Sequence, residues 1–249
     1  VKSILGGTRR ENIVALAVGA AGLLFIASAW VFQPAPLDGA SILLTVVLAG
    51  FIVLGDHFPI HIRYSIKVSM TSVPLFLLAV LAPRPLALLA VALATLLMDY
   101  LAREERGLLP IDYLMDPGRW VIIVWLGSRV MDMPVPAAGL EGFQLFAAAL
   151  VMFAADILTF SMFTSLNIQE PVLELARDSF RQVYAVESIQ YMIGILGALA
   201  YYQAFWAVLL LGVPTAIAYI AFKNVKEMRQ STREMLIHMA DAVDLRDPY

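Results

Sequence analysis

Four ionisable residues stand inside otherwise apolar stretches of this sequence: Lys67, Asp99, Asp156 and Glu187. A charge at bilayer depth costs roughly 2.5–3.5 kcal/mol on insertion scales, so each needs a partner or a use. Counting depth along each stretch places all four in the same half of a membrane, three carboxylates and one ammonium near one level. Two readings follow. As a switch, protonation of a buried carboxylate or arrival of a ligand changes how helices pack. As scaffolding, each charge snorkels or pairs locally and holds helices together. Asp156 lies deepest and is the leading switch candidate. Arg129, near the far end of another apolar stretch, has the chemistry to bind an anion. Its plainer reading is a headgroup anchor, with Asp132 near enough in sequence to pair with it. His57 and His61 have the spacing of a two-His metal site on a helix, but Pro59 between them interrupts a regular helix. Interfacial polar residues, or mild pH sensing, are the ordinary reading.

Other chemistry finds little support. With Cys 0, thiolate metal sites, disulfides and Cys nucleophiles are excluded. There is no HExxH pair, nucleophile elbow or phosphate loop. Asp112 and Asp116 lack an accompanying His or a second acidic motif. A net charge of −3 gives no basic excess for nucleic acid. Neither catalysis nor a cofactor is expected within these 249 residues.

The elements that position these residues are membrane helices. The chain is 61% hydrophobic and 15% charged, against about 45–50% and about 25% in soluble domains. Apolar runs at 12–32, 39–54, 65–82, 86–102, 120–131, 142–166, 186–200 and 205–222 read as spans. The first is too long for the core of a signal peptide. Pro74 kinks the third. Residues 60–68 alternate apolar with polar, as a short extended or interfacial piece does, and 170–184 read as a separate interfacial helix. The expected fold is therefore all-α, a polytopic bundle of about eight spans, with six and a re-entrant pair as the alternative. Eight spans put Arg9, Arg10, Arg63, Arg103, Arg106, Arg119, Arg177, Arg181, Lys223 and Lys226 on one side and little beyond Arg84 on the other. That asymmetry predicts an inner-membrane protein with both termini cytoplasmic.

The last stretch carries a second pattern. From 205 onward one helix is expected, apolar to residue 222 and then charged but periodic. Val225, Met228, Thr232, Met235, Met239 and Ala242 follow the 3,4 spacing of a coiled-coil seam. Thr232 and the methionines make a modest seam, suited to changing register in a homodimer. Pro214 stands where a kink would act as a hinge between span and seam. The expected division is a transmembrane sensor domain over 1–222, a linker helix over 223–245, and the start of an output domain at 246–249.

The segment Ala242-Val243-Asp244-Leu245-Arg246-Asp247-Pro248-Tyr249 resembles the opening of HD-GYP domains, the cyclic-di-GMP phosphodiesterases of the HD hydrolase superfamily. The resemblance implies a membrane sensory and dimerisation module that answers a small ligand or a membrane stimulus and controls a downstream phosphodiesterase. The family's metal-binding His and Asp residues have no counterpart here, so its divalent metal belongs to that downstream domain. More loosely, Leu81-Ala82-Pro83, Asp99 and Met115-Asp116-Pro117-Gly118-Arg119-Trp120 are similar to multi-span sensor regions ahead of HD-GYP, GGDEF or kinase domains. Substrate-binding subunits of vitamin transporters show similar patterns, which makes small-molecule uptake the alternative function.

Overall fold

Residues 72–81 are apolar on nearly every side, and a helix without a polar face belongs inside a bundle. In the computed structural model this helix is the centre of the protein. The described residues are 9–33, 38–57, 60–63, 66–106, 108–134, 141–168 and 170–244. They form α1 (Arg9–Phe32), α2 (Gly39–His57), the strands β1 (Ile60–Arg63) and β2 (Ile66–Val68), α3 (Ser72–Leu81), α4 (Arg84–Arg106), α5 (Asp112–Met131), α6 (Glu141–Ile168), α7 (Val172–Gln203), a 3-10 helix (Phe205–Leu211) and α8 (Gly212–Asp244). Ser72 through Ala79 are all buried, and Phe76, Leu77 and Leu78 pack with Leu48, Ile52, Leu88, Val91, Ile123 and Met152 in one core.

Among the described residues, five helical segments are long and apolar enough to cross a bilayer: Arg10–Phe32, Gly39–Asp56, Arg84–Arg103, Gly142–Leu166 and Val183–Gln203. Large apolar side chains such as Leu24, Phe32, Val46, Phe143 and Leu150 face outward from them. Apolar surface on that scale belongs against lipid, not water. The chain is an all-helical membrane protein apart from one short hairpin.

That hairpin revises the third expected span. β1 and β2 pair antiparallel, with Ile60 opposite Val68 and His61 opposite Lys67. Lys67 is therefore on a strand, not at helical depth, and α3 starts only at Ser72. At 10 residues, α3 is about 15 Å long, half of a ~30 Å hydrocarbon core. Its partly irregular entry is tolerated where protein surrounds it.

Three other boundaries differ from expectation, each for a local reason. Residues 172–203 form one helix, not an interfacial helix followed by a span. The sequence becomes polar there but holds no residue that breaks a backbone. The fifth segment begins at Asp112, not Trp120. The Asp112 carboxylate takes the Leu109 N–H at 2.8 Å just ahead of the helix, and the helix continues through Pro117. Finally, 205–244 is not one continuous α-helix. The Pro214 ring opposes the Leu210 carbonyl, so the chain runs as 3-10 to Leu211 and α8 starts afresh at Gly212. Pro214 lies in the first turn of α8, where a missing N–H costs least.

Small residues set the tightest crossing. A Cβ on Gly22 of α1 would lie 2.9 Å from the Gly118 Cα of α5, and one on Gly118 would lie 2.7 Å from the Val18 carbonyl oxygen. Both obstacles are backbone, so neither can rotate away. Close backbone approach of this kind replaces the hydrophobic drive that helices lack in lipid. Gly118→Val is expected to cost at least about 1–3 kcal/mol, the usual range for overpacking. The check is the thermal midpoint in detergent, and unchanged melting would contradict the crossing.

Candidate functional site

The first N–H groups of a helix have no partner within it. For a helix that begins inside a bundle, water does not supply one. At the start of α3 the partners come from α7. The Ser72 N–H donates to Gln190 Oε1 at 3.2 Å, and the Ser72 hydroxyl donates to Glu187 Oε2 at 2.6 Å. Gln190 Nε2 donates back to the Ser69 carbonyl at 3.3 Å. Residues three apart on a helix share a face, which lets Glu187 and Gln190 grip one target. A carboxylate here also meets the positive end of the α3 dipole. Ser72, Glu187 and Gln190 are all buried.

A second buried polar group adjoins the first. Arg119 of α5 is 9% exposed and forms an ion pair with Asp156 of α6. Its Nε donates to Thr159 Oγ1 at 2.9 Å, and its guanidinium lies 4.6 Å from the Trp120 ring centroid. Among the described residues the Arg119 guanidinium pairs with Asp156, while the Glu187 carboxyl is taken by Ser72. Tyr191, one position beyond Gln190, meets Phe76 edge-on at 5.9 Å and Phe153 at 6.1 Å, and these rings wall the site from lipid.

Of the expected set, Asp156 and Glu187 come together. Asp99 is fully buried on α4; no bond to the pair is among its described contacts. The side chains of Lys67, His57 and His61 lie outside the described residues, as do those of Val225 and Ala242. Among the described residues no group of three His, Asp or Glu is placed to hold a metal. Arg119, expected in a cytoplasmic connector, is instead the cation of the cluster. Its placement follows from the earlier start of α5, and Pro117 was the available signal. Ser72 and Gln190 also escaped the sequence reading, since neither is charged. The Glu187–Gln190 spacing marked a shared polar face on an apolar helix.

The cluster touches the last helix through one layer of packing. Met70, two residues before Ser72, and Val186, next to Glu187, form a small core with Val183, Ala218 and Tyr219. Ala218 and Tyr219 belong to α8. Beside them, α2, α3 and α8 enclose an apolar cavity of about 350 Å3 lined by Phe51, Gly55, Val73, Leu77, Thr215 and Tyr219 among others. The base of α8 is thus held on one side and unfilled on the other.

Removing one member of a buried ion pair strands the other. Asp156→Ala is expected to cost about 3–5 kcal/mol in reversible unfolding in detergent. The double replacement of Arg119 and Asp156 by Leu is expected to recover most of that loss. Additive losses in the double mutant would show that the pair is not coupled.

No known protein family, characterised protein or solved structure matches this chain.

Proposed function

We propose that the chain is the membrane-embedded sensory and dimerisation module of a signalling protein whose cytoplasmic output is an HD-GYP cyclic-di-GMP phosphodiesterase. The observation that carries this reading is the course of α8. Its first turns pack beside the Glu187–Ser72 cap through Ala218 and Tyr219. It then continues to Asp244, displaying Met228, Met235 and Met239 at 68%, 63% and 60% exposure. Thr232, on the same face, bonds its hydroxyl to the Met228 carbonyl at 2.9 Å and so presents its methyl group. A stripe of exposed methionines at this spacing calls for a second helix. The resemblance of the Asp-Leu-Arg-Asp-Pro-Tyr tail to the opening of HD-GYP domains supports the choice of output.

In this reading the input is the polar cluster. Protonation of Glu187 or Asp156, or a ligand that competes for Arg119, redistributes the hydrogen bonds that fix the start of α3. Met70 and Val186 then shift against α8, and the cavity beside α8 gives it room to move. The break at Gly212 and Pro214 is the hinge. Eight crossings, with α3 and the 3-10 segment as short ones, keep both termini on the cytoplasmic side. Moving Arg119 out of the connectors leaves the positive-charge asymmetry in place.

Cys introduced singly at Met228 and at Met235 is expected to give intermolecular disulfides in membranes, with Cys at the neighbouring Lys226 giving little. Uniform crosslinking at all three positions, or none, removes the dimer seam. The coding sequence after Tyr249 is expected to continue Thr-x-Gly-His and later an HD pair; any other continuation removes the phosphodiesterase but leaves the seam. In the parent protein Glu187→Gln is expected to change phosphodiesterase output several-fold with membrane insertion intact, and unaltered output removes the cluster from the signalling path.

A further inference from the structure

A second polar site lies at the opposite end of α5. Arg129 is ten residues beyond Arg119, about 15 Å along the helix axis. Here α1 ends, α4 begins and α5 ends, and they enclose a cavity of about 290 Å3 lined by Ser28, Ala29, Phe32, Gln33, Arg84, Trp125 and Arg129. The two arginines in it do different work. The Arg84 side chain is 9% exposed and nearly saturated. Its Nε donates to Ser128 Oγ at 2.8 Å, and one terminal nitrogen donates to Gln33 Oε1 at 2.7 Å. The other donates to the Ser128 carbonyl at 3.0 Å and to Asp132 at 2.5 Å. It caps the carbonyl end of α5, where a cation is favoured.

Arg129 makes one hydrogen bond, to the same Asp132 oxygen at 2.9 Å, and lies 5.9 Å from the Trp125 ring centroid. Its remaining N–H groups have no partner among the described residues. Two guanidinium groups therefore share one carboxylate, and among the described residues no second carboxylate pairs with Arg129 beside this concave site. The walls opposite that charge are apolar: Phe32, Ala29 and Trp125, the last stacked on Phe25 at 4.2 Å. A charge fork over an aromatic wall selects an oxyanion joined to an apolar body.

We propose that this cavity binds such a ligand, a phosphate or carboxylate group held by Arg129 with its apolar part against Trp125 and Phe32. The site is separate from the Glu187–Ser72 cluster and does not depend on the signalling role. Two sources share the chemistry, a dissolved organic anion and the headgroup of an anionic lipid. The test uses the full chain in phosphatidylcholine nanodiscs. Phenyl phosphate is titrated in one arm, and phosphatidylglycerol is introduced into the disc in the other, with tryptophan fluorescence as the readout. A saturable change is expected in at least one arm, lost in Trp125→Phe and weakened at least tenfold in Arg129→Gln. Arg177→Gln, far from the cavity, is expected to behave as wild type. Asp132→Asn is expected to tighten binding several-fold, because it removes the competing carboxylate, whereas a purely structural Asp132 gives no tightening. A response confined to phenyl phosphate assigns a dissolved ligand, and one confined to phosphatidylglycerol assigns a lipid. No saturable response in either arm, or an unchanged Arg129→Gln, overturns the proposal.

Discussion

A helix that starts inside an apolar bundle carries unpaired N–H groups into a place without water, and each costs several kcal/mol if left so. The arrangement around α3 answers that constraint. Glu187 and Gln190 of α7 reach across to Ser72, which fixes the rotation and height of α7 against α3. Arg119 of α5 is in turn bound to Asp156 of α6. Two helix pairs, α3 with α7 and α5 with α6, are thereby tied through polar side chains. Specific registry is the best-attested use of buried polar groups, and here it sets which faces of α3, α5, α6 and α7 meet.

Helix α5 extends that order along the membrane normal. Gly118 lets it press backbone to backbone on α1, and the next residue is Arg119. At its other end the carbonyls of Val130 and Met131 accept from Gln144 of α6, each at 2.9 Å, while Arg84 of α4 takes the Ser128 carbonyl. Both ends of α5 are thus held by polar contacts from neighbouring helices.

The membrane class was legible because it rests on composition summed over long runs, which local exceptions do not disturb. The meeting of Asp156 and Glu187 was legible because charges at bilayer depth are costly and the same depth count applied to both. The place of Arg119 is not legible in the same way, because Pro117 reads as a break in the sequence whereas α5 begins at Asp112 and carries Pro117 inside it. The separation of 170–184 from 186–200 was a reading of polarity as a boundary, whereas helices end at backbone breakers and caps, and none occurs there. The short length of α3 was hidden because a fully buried helix and a lipid-facing span share an apolar composition. Only the alternation at 60–68 hinted that the chain enters as a hairpin.

Helices α3 and α5 are held by polar bonds from neighbouring helices. Helix α8 packs on the bundle at Ala218 and Tyr219, and the apolar part of that packing is non-directional. It also adjoins an unfilled cavity and starts at a junction already forced out of α geometry by Pro214. Sliding along such a surface exchanges one set of dispersion contacts for another at little cost, while moving α3 breaks the cap. Beyond the bundle α8 carries the methionine stripe, where unbranched side chains accommodate more than one packing register. Helices α3 and α8 are thus held by different physics, directional polar bonds for the one and apolar packing at Ala218 for the other.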